Sequence, residues 1–265
     1  MRLEELVRRC TVKLSSVGMK SGTGFFIAPG YILTCEHVVR DAGASVQVRW
    51  QQQEAFAEAK VLKTFPDCDV ALLSFEQSGE GLPCVYFDEG LPDIEDRLYL
   101  FGYGNTSKHG DPVIVQVEGM TGDVPPLIKY RLGSIKPGMS GAALVNCRTG
   151  KVCGMSKFTV DKYYQQGGGG IPLSTLMDCL SFNVVKAQQQ FHDRDRRWSE
   201  AQPLTAWSQE KDFNPSGSEN DTASGESNQQ STGQGNTQII QDVKQNGEKN
   251  INIGQASSVR IGDDY

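Results

Sequence analysis

Three residues stand in surroundings that suit acyl-transfer chemistry. His37 lies in Thr34-Cys35-Glu36-His37-Val38-Val39, Asp69 opens Asp69-Val70-Ala71-Leu72-Leu73, and Ser140 sits in Gly138-Met139-Ser140-Gly141-Ala142-Ala143-Leu144. A serine hydroxyl is a weak nucleophile until a neighbouring base takes its proton. An imidazole titrates near neutrality, so it can accept that proton and later return it to a leaving amine. A carboxylate behind the imidazole fixes its tautomer and stabilises the imidazolium. His37 is thus expected as general base and acid, Asp69 as its orienting partner and Ser140 as nucleophile. Asp67 is a rival carboxylate; Asp69 is preferred because it directly precedes the apolar run Val70–Leu73, which would turn it inward. Ser140 alone would also fit an ordinary turn serine, and His37 alone a half-buried surface histidine. The three contexts together favour the catalytic reading.

The intermediate of such a reaction carries an oxyanion that needs two backbone N–H donors and no side chain in the way. Pro137-Gly138-Met139-Ser140-Gly141 can supply them, with Gly138 free to take the φ of a tight loop. The N–H groups of Gly138 and Ser140 are the expected oxyanion hole.

The elements that must position these groups read as strands. Short apolar runs separated by Gly, Pro, Asp and Asn fill residues 10–160, the pattern of an all-β barrel or sandwich. They include the alternating Ser45–Trp50, then Val70–Phe75, Leu98–Phe101, Val113–Val117, Ala142–Val145 and Val152–Met155. Residues 3–10 suit a short helix or strand entering the fold. Ser174 is the expected N-cap of a helix over residues 175–180, which would run on through Val184–Arg197 as a charged extension.

The contexts resemble the trypsin-like superfamily in its disulfide-free, HtrA/Deg-like form, over roughly residues 10–183. The order His, Asp, Ser is that of the chymotrypsin-type fold. Gly22–Ile27 and Tyr31–Thr34 are similar to the strands leading to the histidine. Leu98–Gly104 is similar to the strand opening the second barrel, and Gly168–Leu173 to the strand before the last helix. The resemblance implies an all-β fold of two six-stranded antiparallel β-barrels of chymotrypsin type, a C-terminal helix and then a disordered tail. It also implies a serine endopeptidase that uses no metal or organic cofactor. Ser134, six residues before the nucleophile, would lie at the pocket base, with Ile135 and Gly170 leaving room for an apolar group. Lys157 and Phe158 would bind the substrate backbone by strand addition. A small or medium uncharged P1 residue is expected; Lys136 or Lys157 near the pocket would instead favour acidic side chains. The Ile-Val-Gly-Gly type of N-terminus is missing, so control would act through the loop Ser134–Pro137 or a partner. A catalytically latent binding or scaffold module of the same fold is the alternative, which the intact triad speaks against.

At 265 residues and a formal charge of −6, the chain has no basic patch interleaved with aromatics, so nucleic acid is not an expected partner. No run of 18 or more apolar residues predicts a membrane span, and residues 1–10 have no apolar h-region. Seven cysteines at irregular spacings suggest neither a disulfide framework nor a zinc site. In secreted members of the family a disulfide adjoins the catalytic histidine; here Val38 follows His37. A reduced, cytoplasmic protein is expected. Cys35 and Cys68 read as small buried hydrophobes, His109 as a solvent-facing loop residue, and His192 as part of a solvated helix face.

The expected organisation is a protease domain over 1–185, a helical extension over 186–200, a disordered linker over 201–235 and a tail over 236–265. The linker is rich in Ser, Gly, Asn and Gln, too poor in apolar groups to offset ordering entropy. The tail alternates faintly at Ile251/Ile253 and Val259/Ile261 and is similar to Asn-Ile-x-Ile-Gly tails of bacterial conflict and signalling proteins. It would be disordered or would pair as strands with a protein partner. The expected role is cleavage of a protein or peptide substrate in signalling, defence or regulated proteolysis.

Overall fold

Strand periodicity over most of residues 11–172 has to close on itself or leave open edges, and closure is what the chain adopts. The computed structural model describes residues 1–15, 21–50, 55–76, 81–105, 107–159 and 166–204. The first barrel contains β1 (Thr11–Ser15), β2 (Gly22–Ala28), β3 (Tyr31–Thr34), β4 (Ser45–Trp50), β5 (Ala57–Phe65) and β6 (Val70–Ser74). The second contains β7 (Arg97–Gly102), β8 (Asp111–Met120), β9 (Ile128–Ser134), β10 (Ala143–Asn146), β11 (Val152–Thr159) and β12 (Gln166–Pro172). Neighbours run β1-β2-β3-β6-β5-β4 in one closed barrel and β10-β11-β12-β9-β8-β7 in the other. Every pairing is antiparallel. Closure removes the free sheet edges that would otherwise invite association.

The alternation in β4 works as its sequence suggests: Val46, Val48 and Trp50 point inward and are buried. Trp50 packs edge-on against Phe75 at 5.1 Å between ring centroids and against Phe26 at 6.4 Å. One continuous apolar cluster extends from the first barrel to Phe101, Tyr103, Val145 and Met155 of the second. A smaller cluster, including Leu98, Tyr130, Met139 and Leu144, is confined to the second barrel. The seam between the barrels is therefore apolar core, and what lies along it is held firmly.

Three expectations about the helices need correction. The chain after β12 forms two helices, α3 (Leu173–Cys179) and α4 (Phe182–Arg194), rather than one continuous element; α1 (Leu3–Cys10) and the short α2 (Glu36–Val39) precede them. Leu180 and Ser181 between α3 and α4 have extended backbone, and the half-turn seats Leu180 in the core. Ser174 lies inside α3: Pro172 is the capping position, with no side-chain cap. A proline ring presets the φ of its own residue, so Pro172 fixes where α3 begins without a hydroxyl cap. His192 is likewise not on a solvated face. Its Nε2 lies 2.8 Å from the Val85 carbonyl oxygen, its ring stacks on Tyr86 at 4.6 Å, and it docks α4 onto the body. Burial, the largest influence, holds its pKa below the usual value. His109 is exposed.

The C-terminal end of the described chain returns to its start. Leu3 N–H donates to Gln202 O at 3.0 Å, and Gln202 N–H donates to Met1 O at 3.0 Å. Leu204 is buried. The remainder of the linker and all of the tail lie outside the described residues.

Candidate active site

The first barrel carries His37 and Asp69. β5 ends in a 3-10 turn, Pro66–Cys68, and Asp69 follows with φ 58° and ψ 45°, a left-handed conformation that aspartate tolerates better than most residues. That kink aims the carboxylate at the start of α2, which carries His37. Asp69 Oδ1 accepts from the His37 backbone N–H at 2.9 Å, and Oδ2 lies 2.8 Å from the His37 ring Nδ1. Asp69 O also accepts from Glu36 N–H at 3.1 Å. Main chain and side chain of one residue thus fix both the position of α2 and the orientation of the imidazole. Asp67 is exposed and takes no part.

Burial works to raise the Asp69 carboxyl, and the hydrogen bonds from the His37 ring and N–H outweigh it, so its pKa stays below the usual carboxylate range. Its side chain is 10% exposed, that of His37 38%. The anion is shielded while the imidazole keeps a solvent-facing edge, as proton exchange with a bound substrate requires.

The second barrel supplies the Ser140 loop, and the first barrel holds it. Thr23 on β2 is fully buried and makes four hydrogen bonds, three of them across the seam and one to β3 of its own barrel. Its N–H donates to Ser140 O at 3.0 Å, and its hydroxyl donates to Gly138 O at 2.8 Å. Its hydroxyl accepts from Tyr103 N–H at 2.9 Å, and its carbonyl accepts from Thr34 Oγ1 at 2.7 Å. Thr34 lies three residues before His37, so main chain and side chain of Thr23 together join the His37 strand to the Ser140 loop. Gly141 N–H donates to Ser156 O at 2.8 Å. Gly141 has φ +89°, and a Cβ there would stand 2.0 Å from Thr23 O; the close approach of the two barrels requires glycine. Met139 is buried in the second-barrel core, so Ser140, next in the chain, is presented at the half-exposed surface.

Asn105 N–H donates to Pro137 O at 2.8 Å. That bond fixes the plane of the Pro137–Gly138 peptide, and in a trans peptide the Gly138 N–H must point the opposite way. Gly138 has φ +99°, and a Cβ would meet Tyr103 O at 2.6 Å.

The other residues singled out in the sequence are placed as follows. Ser134 ends β9 opposite Gln166 and is exposed. Ile135 is not in an open pocket: it is buried in the second-barrel core. Gly170 is closed in as well, a Cβ there meeting Leu144 Cδ1 at 2.5 Å and Met155 O at 3.1 Å. The room expected between Ile135 and Gly170 is filled by Leu144 and the Tyr130 ring, whose hydroxyl is 3.1 Å from Ser156 Oγ. Lys157 lies at the bulge where β11 loses register with β12, and Phe158 pairs with Gly169. Lys136 Nζ is 3.1 Å from Asp111 Oδ2 and so is already paired.

Cys35 Sγ lies with the ligand atoms of His37 and Asp69 inside 4.8 Å. These atoms are committed to one another and to the protein: the Cys35 thiol donates to Ser156 O at 3.4 Å, and burial pushes its pKa well up. Thr23, Asn105 and Ser156 are site residues that motif reading passed over. Their only signal is position, Thr23 between Gly22 and Gly24, and Asn105 directly after Gly104.

The sequence profile of the trypsin-like peptidase domain matches residues 22–155, and the chain belongs to that family. It is similar to proteins described as probable periplasmic serine endoprotease DegP-like. The one from Ectopseudomonas mendocina is 35% identical over 162 residues, covering 58% of this chain and 31% of the relative. The one from Pseudomonas fluorescens is 31% identical over 170 residues, covering 59% and 33%. The chain thus spans about a third of the length of the curated relatives it matches. Among solved structures, the serine endoprotease from Yersinia pestis aligns with a TM-score of 0.57 at 23% identity, over 70% of this chain and 67% of that one. The Rv3671c protease from M. tuberculosis, in its active form, aligns with a TM-score of 0.55 at 21% identity, over 66% and 81%. These likenesses show the same double-barrel fold.

Proposed function

We propose that the protein is a serine endopeptidase in which His37, Asp69 and Ser140 form the catalytic triad. The observation that carries this reading is the Asp69 carboxylate gripping both the ring and the backbone of His37, at 2.8 and 2.9 Å. That bond leaves Nε2 of the imidazole to take the Ser140 proton, while Asp69 stabilises the imidazolium. Ser140 attacks the scissile carbonyl, and the N–H groups of Gly138 and Ser140 receive the oxyanion. His37 then protonates the leaving amine, and water hydrolyses the acyl-enzyme by the reverse sequence. No step calls for a metal or organic cofactor.

The substrate backbone is read as adding beside Lys157–Thr159. The Ser134 hydroxyl in place of a carboxylate, with the Gly170 side closed by Leu144 and Tyr130, favours a small uncharged P1 side chain. The pairing of Lys136 with Asp111 speaks against its use for acidic side chains. Among the described residues no helix is long and apolar enough to cross a membrane. The DegP-like relatives are named as periplasmic, which stands against the cytoplasmic setting expected from the cysteines; fractionation of expressing cells decides between them.

The test is reaction of the purified full chain with a fluorophosphonate probe, with the modified peptide mapped by mass spectrometry. Labelling at Ser140, lost in His37→Ala and in Ser140→Ala, is the expected result. A folded protein that resists labelling would overturn the reading and leave the latent binding module in its place.

A further inference from the structure

We propose that Cys68 and Cys179 are a disulfide-forming pair that staples the Asp69 loop of the first barrel to the helix that follows the second. Their sulfurs lie 3.2 Å apart although the residues are 111 positions apart in sequence. Cys68 closes the 3-10 turn directly before Asp69, and Cys179 is the last residue of α3. A disulfide has its sulfurs about 2.05 Å apart, so bonding asks for an approach of about 1.2 Å from the contact already made.

The remaining cysteines differ in placement. Cys10, Cys35, Cys84, Cys147 and Cys153 are buried, whereas Cys68 and Cys179 are only partly so. The Cys35 and Cys153 thiols donate to Ser156 O and Leu144 O. Cys68 and Cys179 therefore combine sulfur-to-sulfur contact with access for an oxidant. In the proposed sequence Cys68 opens the reaction. It attacks a small-molecule disulfide such as oxidised glutathione and expels one glutathione thiol. Cys179 then attacks the mixed disulfide at the Cys68 sulfur and expels the second. Two protein thiols are oxidised, one glutathione disulfide is reduced to two thiols, and the protons balance.

The bond would close a loop that contains all six strands of the second barrel. Cross-links over long loops restrict the unfolded chain most. Because the sulfurs already touch in the reduced protein, oxidation leaves the Asp69–His37 geometry in place and acts on persistence rather than rate. An oxidising compartment would form the staple and a reducing one would keep it open.

The test treats the full chain with oxidised glutathione under native conditions, then alkylates, digests and maps it. The expected result is a Cys68–Cys179 linked peptide with the five buried cysteines reduced. The urea midpoint should rise by about 1 M and return with dithiothreitol, and turnover of a peptide substrate should stay within about twofold of the reduced protein. Cys179→Ser and, independently, Cys68→Ser should abolish both the link and the shift. Free thiols at both positions after oxidation, or a different pairing, would overturn the proposal. A linked peptide without a change of midpoint would overturn the stapling role.

Discussion

Asp69 in the first barrel and Asp96 in the second are built alike and put to different use. Each is largely screened from solvent, with side chains 10% exposed, and each accepts a backbone N–H: from His37 at 2.9 Å, and from Asp93 at 2.9 Å. In both, burial works to raise the carboxyl and the hydrogen bonds outweigh it. The partners differ. Asp69 holds the His37 imidazole, a ring able both to accept and to donate a proton. Asp96 holds the Arg148 guanidinium, with Nε and Nη2 at 3.0 and 2.8 Å, and the Asn146 amide at 2.7 Å. A guanidinium never releases its proton in a protein, so the second site can only tie β7 to β10. A shielded carboxylate becomes chemistry or glue according to the acidity of what it grips.

That contrast can be broken at either end. Asp69→Asn keeps a residue type that accepts the left-handed backbone but presents the wrong tautomer to His37. Activity on a peptide ester should fall by about 10⁴-fold while the thermal midpoint hardly moves; a variant within tenfold of the parent would show that the carboxylate only braces α2. Asp96→Asn should do the reverse. It should cost about 1.5–3 kcal/mol of stability in urea melts, the range for hydrogen bonds to charged groups, with turnover of the folded fraction unchanged.

Acid sharpens the same comparison. A carboxyl whose folded pKa is depressed stabilises the fold above its unfolded pKa, near 4, and that contribution is lost as pH falls through the folded value. The stability gap between the parent and Asp96→Asn should therefore be full at neutral pH and close below about pH 4. A gap of constant size across that range would assign the effect to packing instead of charge.

Thr23→Val removes a neutral contact that serves the site from the first barrel. It leaves Tyr103 N–H and Gly138 O without their partner, so kcat should fall by about tenfold or more, toward the effect of losing one oxyanion donor. Thr23→Ser should restore it. The smallest effect belongs to Glu95→Gln, which breaks the exposed pair with Arg131 at 2.8 Å; a change of under about 1 kcal/mol is expected. A larger change there would mean that surface pairs, too, hold the second barrel.

The strand contexts of His37 and Asp69 were legible in the sequence because each is local: a histidine after a strand, an aspartate before one. Strand β4 is bounded in the structure at Ser45 and Trp50, as its alternation indicates. β5 was not legible, because Ala57-Glu58-Ala59-Lys60 and its continuation carry little apolar weight; the strand exists because β4 and β6 flank it on both sides. The mistaken pocket at Ile135 and Gly170 has the same origin. Spacing from Ser140 gives proximity along the chain, but whether a side chain faces substrate or core depends on the barrel's curvature. Thr23 shows the limit most clearly, since its partners lie 80 and 115 positions away.

The parallel bridge between Arg2 and Gln202 has a consequence for how this unit can be carried. The polypeptide arrives and departs at one spot, so the pair of barrels behaves as a cassette. A host protein could receive it within an exposed loop without stretching the loop's ends, and a short peptide across Met1 and Gln202 would allow new termini to be cut elsewhere on the surface.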